Sequence, residues 1–204
     1  IAMRDAMLNY CRTPMSRQAA TDEVIPRAGS SVIGTAPGGL YHCKPGGPDD
    51  YCYIFASRGN EEHWRRLVEA IGRQDLLDDP RMVDGTTRAE HRDVVDGAIN
   101  GFTSTHTKQE VMETIAGAKV PCGAVFNTLE LLNDEDLIAR GMIQTVDHPV
   151  RGPTKVSGWP LRMSDSHVPI KSSPLHGADN EAIYGDWLGL SSDEVKTMRE
   201  RNII

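Results

Sequence analysis

The stretch 34–55 constrains the fold more than any other part of the chain. Its sequence, GTAPGGLYHCKPGGPDDYCYIF, places a turn rich in glycine, proline and aspartate between two short apolar segments. Residues 51–55 alternate aromatic side chains with Cys52 and Ile54, and this period of two is typical of a strand with two different faces. We therefore predict an antiparallel hairpin with strands over 40–43 and 51–55.

The composition indicates an ordinary globular protein. The chain has 204 residues, of which 39% are hydrophobic and 25% charged, and this is enough to bury a core in one or two domains. Its net charge of −7 argues against a nonspecific nucleic-acid surface. No apolar run reaches the ~18 residues of a membrane span, and Arg4 and Asp5 interrupt the apolar start that a signal peptide would need. We expect a cytoplasmic protein without nucleic-acid or membrane partners.

Hydrophobic spacing predicts a mixed α and β chain with neither regular βαβ alternation nor an all-helical pattern. Predicted helices lie at 1–12, 64–71, 94–102, 129–132, 137–139 and 183–188, and capping boxes at Thr107–Glu110 and Ser191–Glu194 each begin a further helix. Predicted strands lie at 40–43, 51–55, 120–126, 142–148 and 154–156. Prolines indicate a linker over 13–33 and an extended segment over 157–175.

Common catalytic motifs are absent from the sequence. It has no G-x-S-x-G, P-loop or G-x-G-x-x-G pattern, no H-x-x-x-H and no C-x-x-C, so a metal site is not expected. Cys43 and Cys52 could face each other across the hairpin, but reduced thiols are favoured, and Cys122 is predicted to be a packed thiol. The acidic pairs 49–50 and 78–79 are predicted to be solvated turn residues. The glycine-rich loop remains as the candidate for ligand contact.

A more specific indication comes from nine segments taken in order. They are AMRDAMLNY at 2–10, APGGLYHCKPGG at 36–47, DDYCYI at 49–54, HWRRLVEAIGRQDLLDDPRM at 63–82, VPCGAVFNTLELLNDEDLIARGM at 120–142, HPVRG at 148–152, GWPLRMSDS at 158–166, SPLHG at 173–177 and WLGLSSDEV at 187–195. Together they cover almost the whole chain. In this order they resemble the later half of family III (CaiB/BaiF type) CoA-transferases, and most closely the formyl-CoA:oxalate group.

The resemblance implies a fold and an assembly. The class is α/β (mixed α+β), with a small α+β domain and the C-terminal part of a Rossmann-like large domain, in an interlocked homodimer. Residues 1–20 are then expected to end the CoA-binding large domain, 21–105 to form the small domain, and 106–204 to connect back to the large domain.

The resemblance also implies an activity. Such enzymes move CoA from an acyl-CoA thioester to a free carboxylate through an aspartyl intermediate, with coenzyme A as a substrate and no separate cofactor. Their nucleophilic aspartate lies upstream of the segment that matches Ile1. We therefore expect this chain to be part of a longer polypeptide, to need the N-terminal half as a partner, to contain no catalytic residue and to be inactive alone.

Five residues are predicted to lie near the substrate. The resemblance places Gly34, Pro37, Gly38 and Gly39 in a loop that covers the acyl group, where backbone N–H groups can meet developing negative charge. Met3 is predicted to lie near the pantetheine of CoA.

Two departures from the family pattern, and two alternatives, accompany this prediction. The family has consecutive glycines where this chain has VIGT at 32–35, so we expect a stiffer loop. The family's L-L-G-E-H near the end is altered here to L-H-G-A-D at 175–179. An α-methylacyl-CoA racemase would place its acid and base upstream as well, and a non-catalytic dimerisation or scaffold half is the other alternative.

Overall fold

The hairpin predicted within residues 34–55 forms the centre of a small antiparallel sheet in the computed structural model, which describes residues 1–21 and 24–204. Strand β1 (Gly38–His42) pairs with β2 (Tyr51–Phe55), and β2 pairs on its other side with β3 (Cys122–Ala124). The strand order is β1-β2-β3, so β2 is central.

The described residues divide into two units, 1–125 and 126–204. The helices of the first unit are α1 (Met3–Tyr10), α2 (Arg12–Thr21), α3 (Glu61–Ala70), α4 (Gly85–Glu90), α5 (Arg92–Thr103) and α6 (Lys108–Gly117), with 3₁₀ turns at Gln74–Leu77 and Pro80–Met82. Helix α6 begins at the predicted capping box, in which Thr107 and Glu110 each bond the other's backbone N–H.

The core of the first unit lies between the sheet and its helices. Ile54 of the central strand, Leu67 of α3, Ile99 of α5 and Ile115 of α6 are all completely buried. In α3 the buried residues Trp64, Leu67 and Val68 have the spacing of one apolar helix face, as the sequence predicts. Helices α5 and α6 pack against the sheet, and α3 packs against α6.

A buried charge lies at the edge of this core. The side chain of Arg88 on α4 is 1% exposed, and its guanidinium donates to Glu61 Oε2 at 2.7 Å and to the Met82 carbonyl at 3.0 Å. It also lies 5.0 Å from the centre of the Trp64 ring, a cation–π contact. Arg88 thus links α4 to Glu61 of α3 and to the Met82 carbonyl, and a side chain without donors would lose both contacts.

The second unit contains a two-stranded sheet and short helices. Strands β4 (Ile143–His148) and β5 (Gly152–Ser157) pair antiparallel, as the sequence predicts, and the turn between them is at 149–151. The helices are α7 (Thr128–Asn133), α8 (Glu135–Ala139), a π-helix over Glu181–Trp187 and α9 (Ser192–Glu200), and α9 starts at the predicted Ser191 capping box.

Several predicted elements have different bounds in the structure. The segment 13–33 was expected to be a linker, yet Arg12–Thr21 is helical, because Pro14 lies in the first turn, where its missing N–H costs no hydrogen bond. Positions 22 and 23 of that segment lie outside the described residues. The strand predicted over 120–126 is shorter, Cys122–Ala124.

The mixed α and β class is confirmed. The predicted bounds of large and small domain, at 20 and 105, stay a prediction. No helix of the described residues is long and apolar enough to span a bilayer.

Candidate functional site

The glycine loop (residues 31–39) folds back on itself and ends in the first two residues of β1. The Val32 N–H donates to the Gly38 carbonyl at 2.8 Å, and Ser31 forms an isolated β-bridge with Gly39. The Thr35 N–H points back to the Val32 carbonyl at 3.4 Å. The loop is therefore closed by its own backbone.

Gly38 and Gly39 are buried where the loop folds against its own start. A Cβ added at Gly38 would lie 3.2 Å from Val32 Cβ, and one added at Gly39 would lie 3.1 Å from the Ser30 carbonyl oxygen. Both distances are tighter than ordinary van der Waals contact. These two glycines permit a close approach within the chain, and their contact with substrate stays a prediction.

Pro37 and Gly34 occupy different parts of the loop. Pro37 is buried and its carbonyl accepts from the Ala56 N–H at 3.1 Å, so it fastens the loop to the end of β2. Gly34 is half-buried and has φ of +70°, a left-handed conformation that favours glycine. The point that a Cβ would occupy at Gly34 lies 3.3 Å from Arg17 Nη1 and 3.9 Å from Arg58 Nη1.

Three backbone donors of the loop are not used by other groups in the described part of the protein. Within the described residues, no hydrogen bond uses the N–H groups of Ile33, Gly34 or Ala36. Successive N–H groups in such a turn can bind an anion or a developing oxyanion.

Arg92, the first residue of α5, holds the loop from the helix side. Its Nη2 donates to the Val32 carbonyl at 2.8 Å and also to the Thr35 carbonyl. Sequence reasoning missed this residue. The apolar stripe of α5 predicts the helix, but nothing in the sequence indicates that its first polar side chain reaches a loop about sixty positions earlier.

One turn further along α5, Asp96 holds the adjoining strand. Tyr41 donates its hydroxyl to Asp96 Oδ1 at 2.7 Å, and burial together with this carboxylate raises the pKa of Tyr41, so the phenol keeps its proton. Arg92 Nη1 lies 3.8 Å from Asp96 Oδ2. Helix α5 thus fixes both the loop and β1.

Replacing Arg92 with leucine tests this support of the loop. We expect the free energy of unfolding to fall by about 1–2 kcal/mol, because two loop carbonyls lose a charged donor. Hydrogen exchange at the Val32 amide should become faster, because its hydrogen bond to the Gly38 carbonyl is no longer supported by a contact from α5. Arg81→Leu is the control, because Arg81 pairs with its neighbour Asp79 at the surface. Equal effects of both substitutions would contradict the assigned role of Arg92.

Met3 is not part of this arrangement. It lies on α1 with its side chain 86% exposed, whereas the other four predicted residues share one loop. Its predicted place near the pantetheine stays a prediction.

Two of the turn acids and two of the thiols have structural partners. Asp50 accepts from the Gly47 N–H at 2.7 Å, and the Arg81 guanidinium lowers the pKa of Asp79 to about 2. Burial raises the pKa of Cys43 to about 12, and the Cys52 thiol donates to the Lys108 carbonyl at 3.0 Å. Among residues 1–21 and 24–204, no group of three or more His, Cys, Asp or Glu side chains could hold a metal ion.

Solved structures resemble this fold. A CaiB/BaiF family protein from Brucella suis has a TM-score of 0.70 at 21% identity, with 89% of this chain and 46% of that one covered. A protein from Mycobacterium tuberculosis has a TM-score of 0.63 at 15% identity, with 88% and 45% covered. At such identities the likeness concerns the fold.

Sequence comparison extends the likeness beyond the fold. The formyl-CoA:oxalate CoA-transferase of Streptomyces coelicolor is 35% identical to this chain, with 100% of the chain and 52% of the relative covered. The protein of the same name from Escherichia coli O157:H7 is 28% identical, with 100% and 53% covered. The chain thus spans about half the length of the curated relatives it matches. A family model described as CoA-transferase family III matches residues 1–180, and the chain therefore belongs to this family.

Proposed function

We propose that this chain is part of a CoA-transferase that moves CoA between an acyl-CoA thioester and a small free carboxylate, with a substrate pair like formyl-CoA and oxalate. The observation that carries the proposal is the match over the full chain, at 35% identity, to a relative named for this reaction. The glycine loop supports it, because its backbone donors are unused and its closure is held from two sides.

The proposed chemistry proceeds through an aspartyl intermediate. The carboxylate of an aspartate attacks the carbonyl carbon of the acyl-CoA thioester. The C–S bond breaks and CoA leaves as a thiolate, which gives an acyl-aspartyl anhydride. The thiolate then attacks the aspartyl carbonyl and releases the first carboxylate. The incoming carboxylate displaces CoA from the aspartyl thioester, and the thiolate attacks the acyl group of the new anhydride, so the aspartate is regenerated.

The attacking aspartate is proposed to come from outside these 204 residues. The acids that the sequence offers in turns, such as Asp50 and Asp79, accept hydrogen bonds from their own turns. The loop would then act as a cover that keeps water from the anhydride, and the whole enzyme would be a homodimer.

An exchange assay tests the proposal at two levels. We expect the longer protein that contains this chain to exchange labelled CoA between formyl-CoA and oxalate, and the 204-residue chain by itself to show no exchange above background. Exchange by the isolated chain at a rate near that of the longer protein would contradict the placement of the nucleophile. Deuterium exchange at the α carbon of a 2-methylacyl-CoA, without CoA transfer, would favour the racemase alternative.

A further inference from the structure

Two arginine side chains converge on the outer face of the glycine loop. Arg17 comes from α2 and Arg58 follows β2, yet the Nη1 atoms of both lie within 4 Å of the point that a Cβ at Gly34 would occupy. Gly34 leaves this space empty because it has no side chain. Two guanidinium groups from distant parts of the sequence therefore border one small volume beside Gly34.

Neither of these arginines is neutralised within residues 1–21 and 24–204, where no ion pair includes Arg17 or Arg58. Eight of the other fourteen arginines form ion pairs within the described residues. The paired arginines are Arg65, Arg66, Arg73, Arg81, Arg88, Arg92, Arg140 and Arg199. Two neighbouring positive charges repel each other unless an anion lies between them.

Each of the two arginines extends from a segment with contacts of its own. A Cβ at Gly85 would lie 2.7 Å from the Arg58 carbonyl oxygen, so α4 packs directly against the Arg58 backbone. Helix α2 is tied to the segment after it by Gln18 Oε1, which accepts from the Ile25 N–H at 3.0 Å. The two side chains therefore approach the same volume beside Gly34 from two different segments.

A third arginine, Arg92 of α5, contacts the glycine loop in a different way. The Arg92 guanidinium donates to the Val32 and Thr35 carbonyls and lies near Asp96. It shapes the loop, whereas Arg17 and Arg58 remain available at its surface. The N–H group of Gly34 is also unused within the described residues.

We propose that Arg17 and Arg58 form a binding site for a dicarboxylate, which holds the acyl acceptor by the carboxylate that does not react. This inference rests on the proposed function. A carboxylate accepts charge-assisted hydrogen bonds from a guanidinium fork, and two forks on one volume favour a doubly charged ligand over a singly charged one. The site would make the second negative charge of the acceptor a requirement for tight binding.

The test is calorimetric titration of the 204-residue chain with oxalate at low ionic strength. We expect Arg17→Gln and Arg58→Gln each to weaken oxalate binding about tenfold or more, while Arg73→Gln, a surface arginine paired with Asp75, leaves it unchanged. Formate should bind at least about tenfold more weakly than oxalate, and added salt should weaken both. All three substitutions lie at exposed side chains, and circular dichroism checks that each variant is folded.

Three results would overturn the site. One is no oxalate binding by the unsubstituted chain, and another is oxalate binding that Arg17→Gln and Arg58→Gln leave intact. The third is binding of pyrophosphate but not oxalate through these arginines, which would assign the volume to a phosphate group of acyl-CoA. The titration involves no CoA transfer. A chain that binds oxalate here while the longer protein exchanges no CoA would contradict the proposed function and leave the site standing.

Discussion

Replacing Gly85 with alanine is expected to lower the free energy of unfolding by about 3 kcal/mol. The added Cβ would lie 2.7 Å from the Arg58 carbonyl oxygen and 2.9 Å from Arg58 Cα. Both atoms belong to the backbone, so they cannot rotate away as the end of a side chain would. Either α4 or the segment after β2 has to move, and the packing around the buried Gly85 is lost. Denaturant unfolding followed by circular dichroism measures the change.

Gly97→Ala is the matched control for this substitution. Gly97 is exposed in the middle of α5, and an added Cβ would meet nothing within 4 Å. Alanine favours the helix over glycine, so this variant should be more stable by about 0.5–1 kcal/mol. The two glycine-to-alanine changes should therefore have opposite signs. An equal loss of stability in both variants would contradict a specific effect of the contact between position 85 and Arg58. Unchanged stability of Gly85→Ala would contradict it as well.

Replacing Arg88 with methionine should destabilise the chain by about 2 kcal/mol. Methionine keeps much of the buried volume but cannot donate to the Met82 carbonyl at 3.0 Å, and it removes the cation over the Trp64 ring. Glu61 loses its partner as well, although its side chain is 54% exposed and can return to water. The loss should therefore be smaller than for a fully buried ion pair.

Arg73→Met serves as the comparison for Arg88→Met. Arg73 pairs with Asp75 at 2.8 Å, but both side chains are largely exposed, so the expected change is below about 0.5 kcal/mol. Urea unfolding of the two variants, with equal m-values, gives the difference directly. Equal stabilities would mean that the contacts of the buried guanidinium contribute nothing net to the fold.

Local chemistry made part of this fold predictable. The turn residues and the period of two gave the hairpin, and the Thr107 and Ser191 capping boxes marked two helix starts that the structure confirms. Pro14 misled the prediction of α2, because a proline is tolerated in a first helical turn, and the sequence alone does not tell that turn from a linker.

The supports of the candidate site were harder to predict. The glycines at 34, 38 and 39 signalled a special loop from the sequence, since glycine permits the left-handed conformation at 34 and the close approaches at 38 and 39. Arg17, Arg58 and Arg92 gave no comparable signal, because each meets the loop only through the tertiary arrangement of α2, β2 and α5. An arginine at a helix surface is most often solvated, and its sequence neighbours do not say otherwise.

The strand order β1-β2-β3 has a consequence for synthesis on the ribosome. The central strand, Tyr51–Phe55, obtains its second partner only from Cys122–Ala124, which is translated much later. Until then the nascent hairpin carries an open edge with alternating aromatic side chains, and such an edge can pair with other unfinished chains. Translation that slows between β2 and β3 would prolong this exposure. The yield of folded protein should therefore depend on how quickly the ribosome reaches β3.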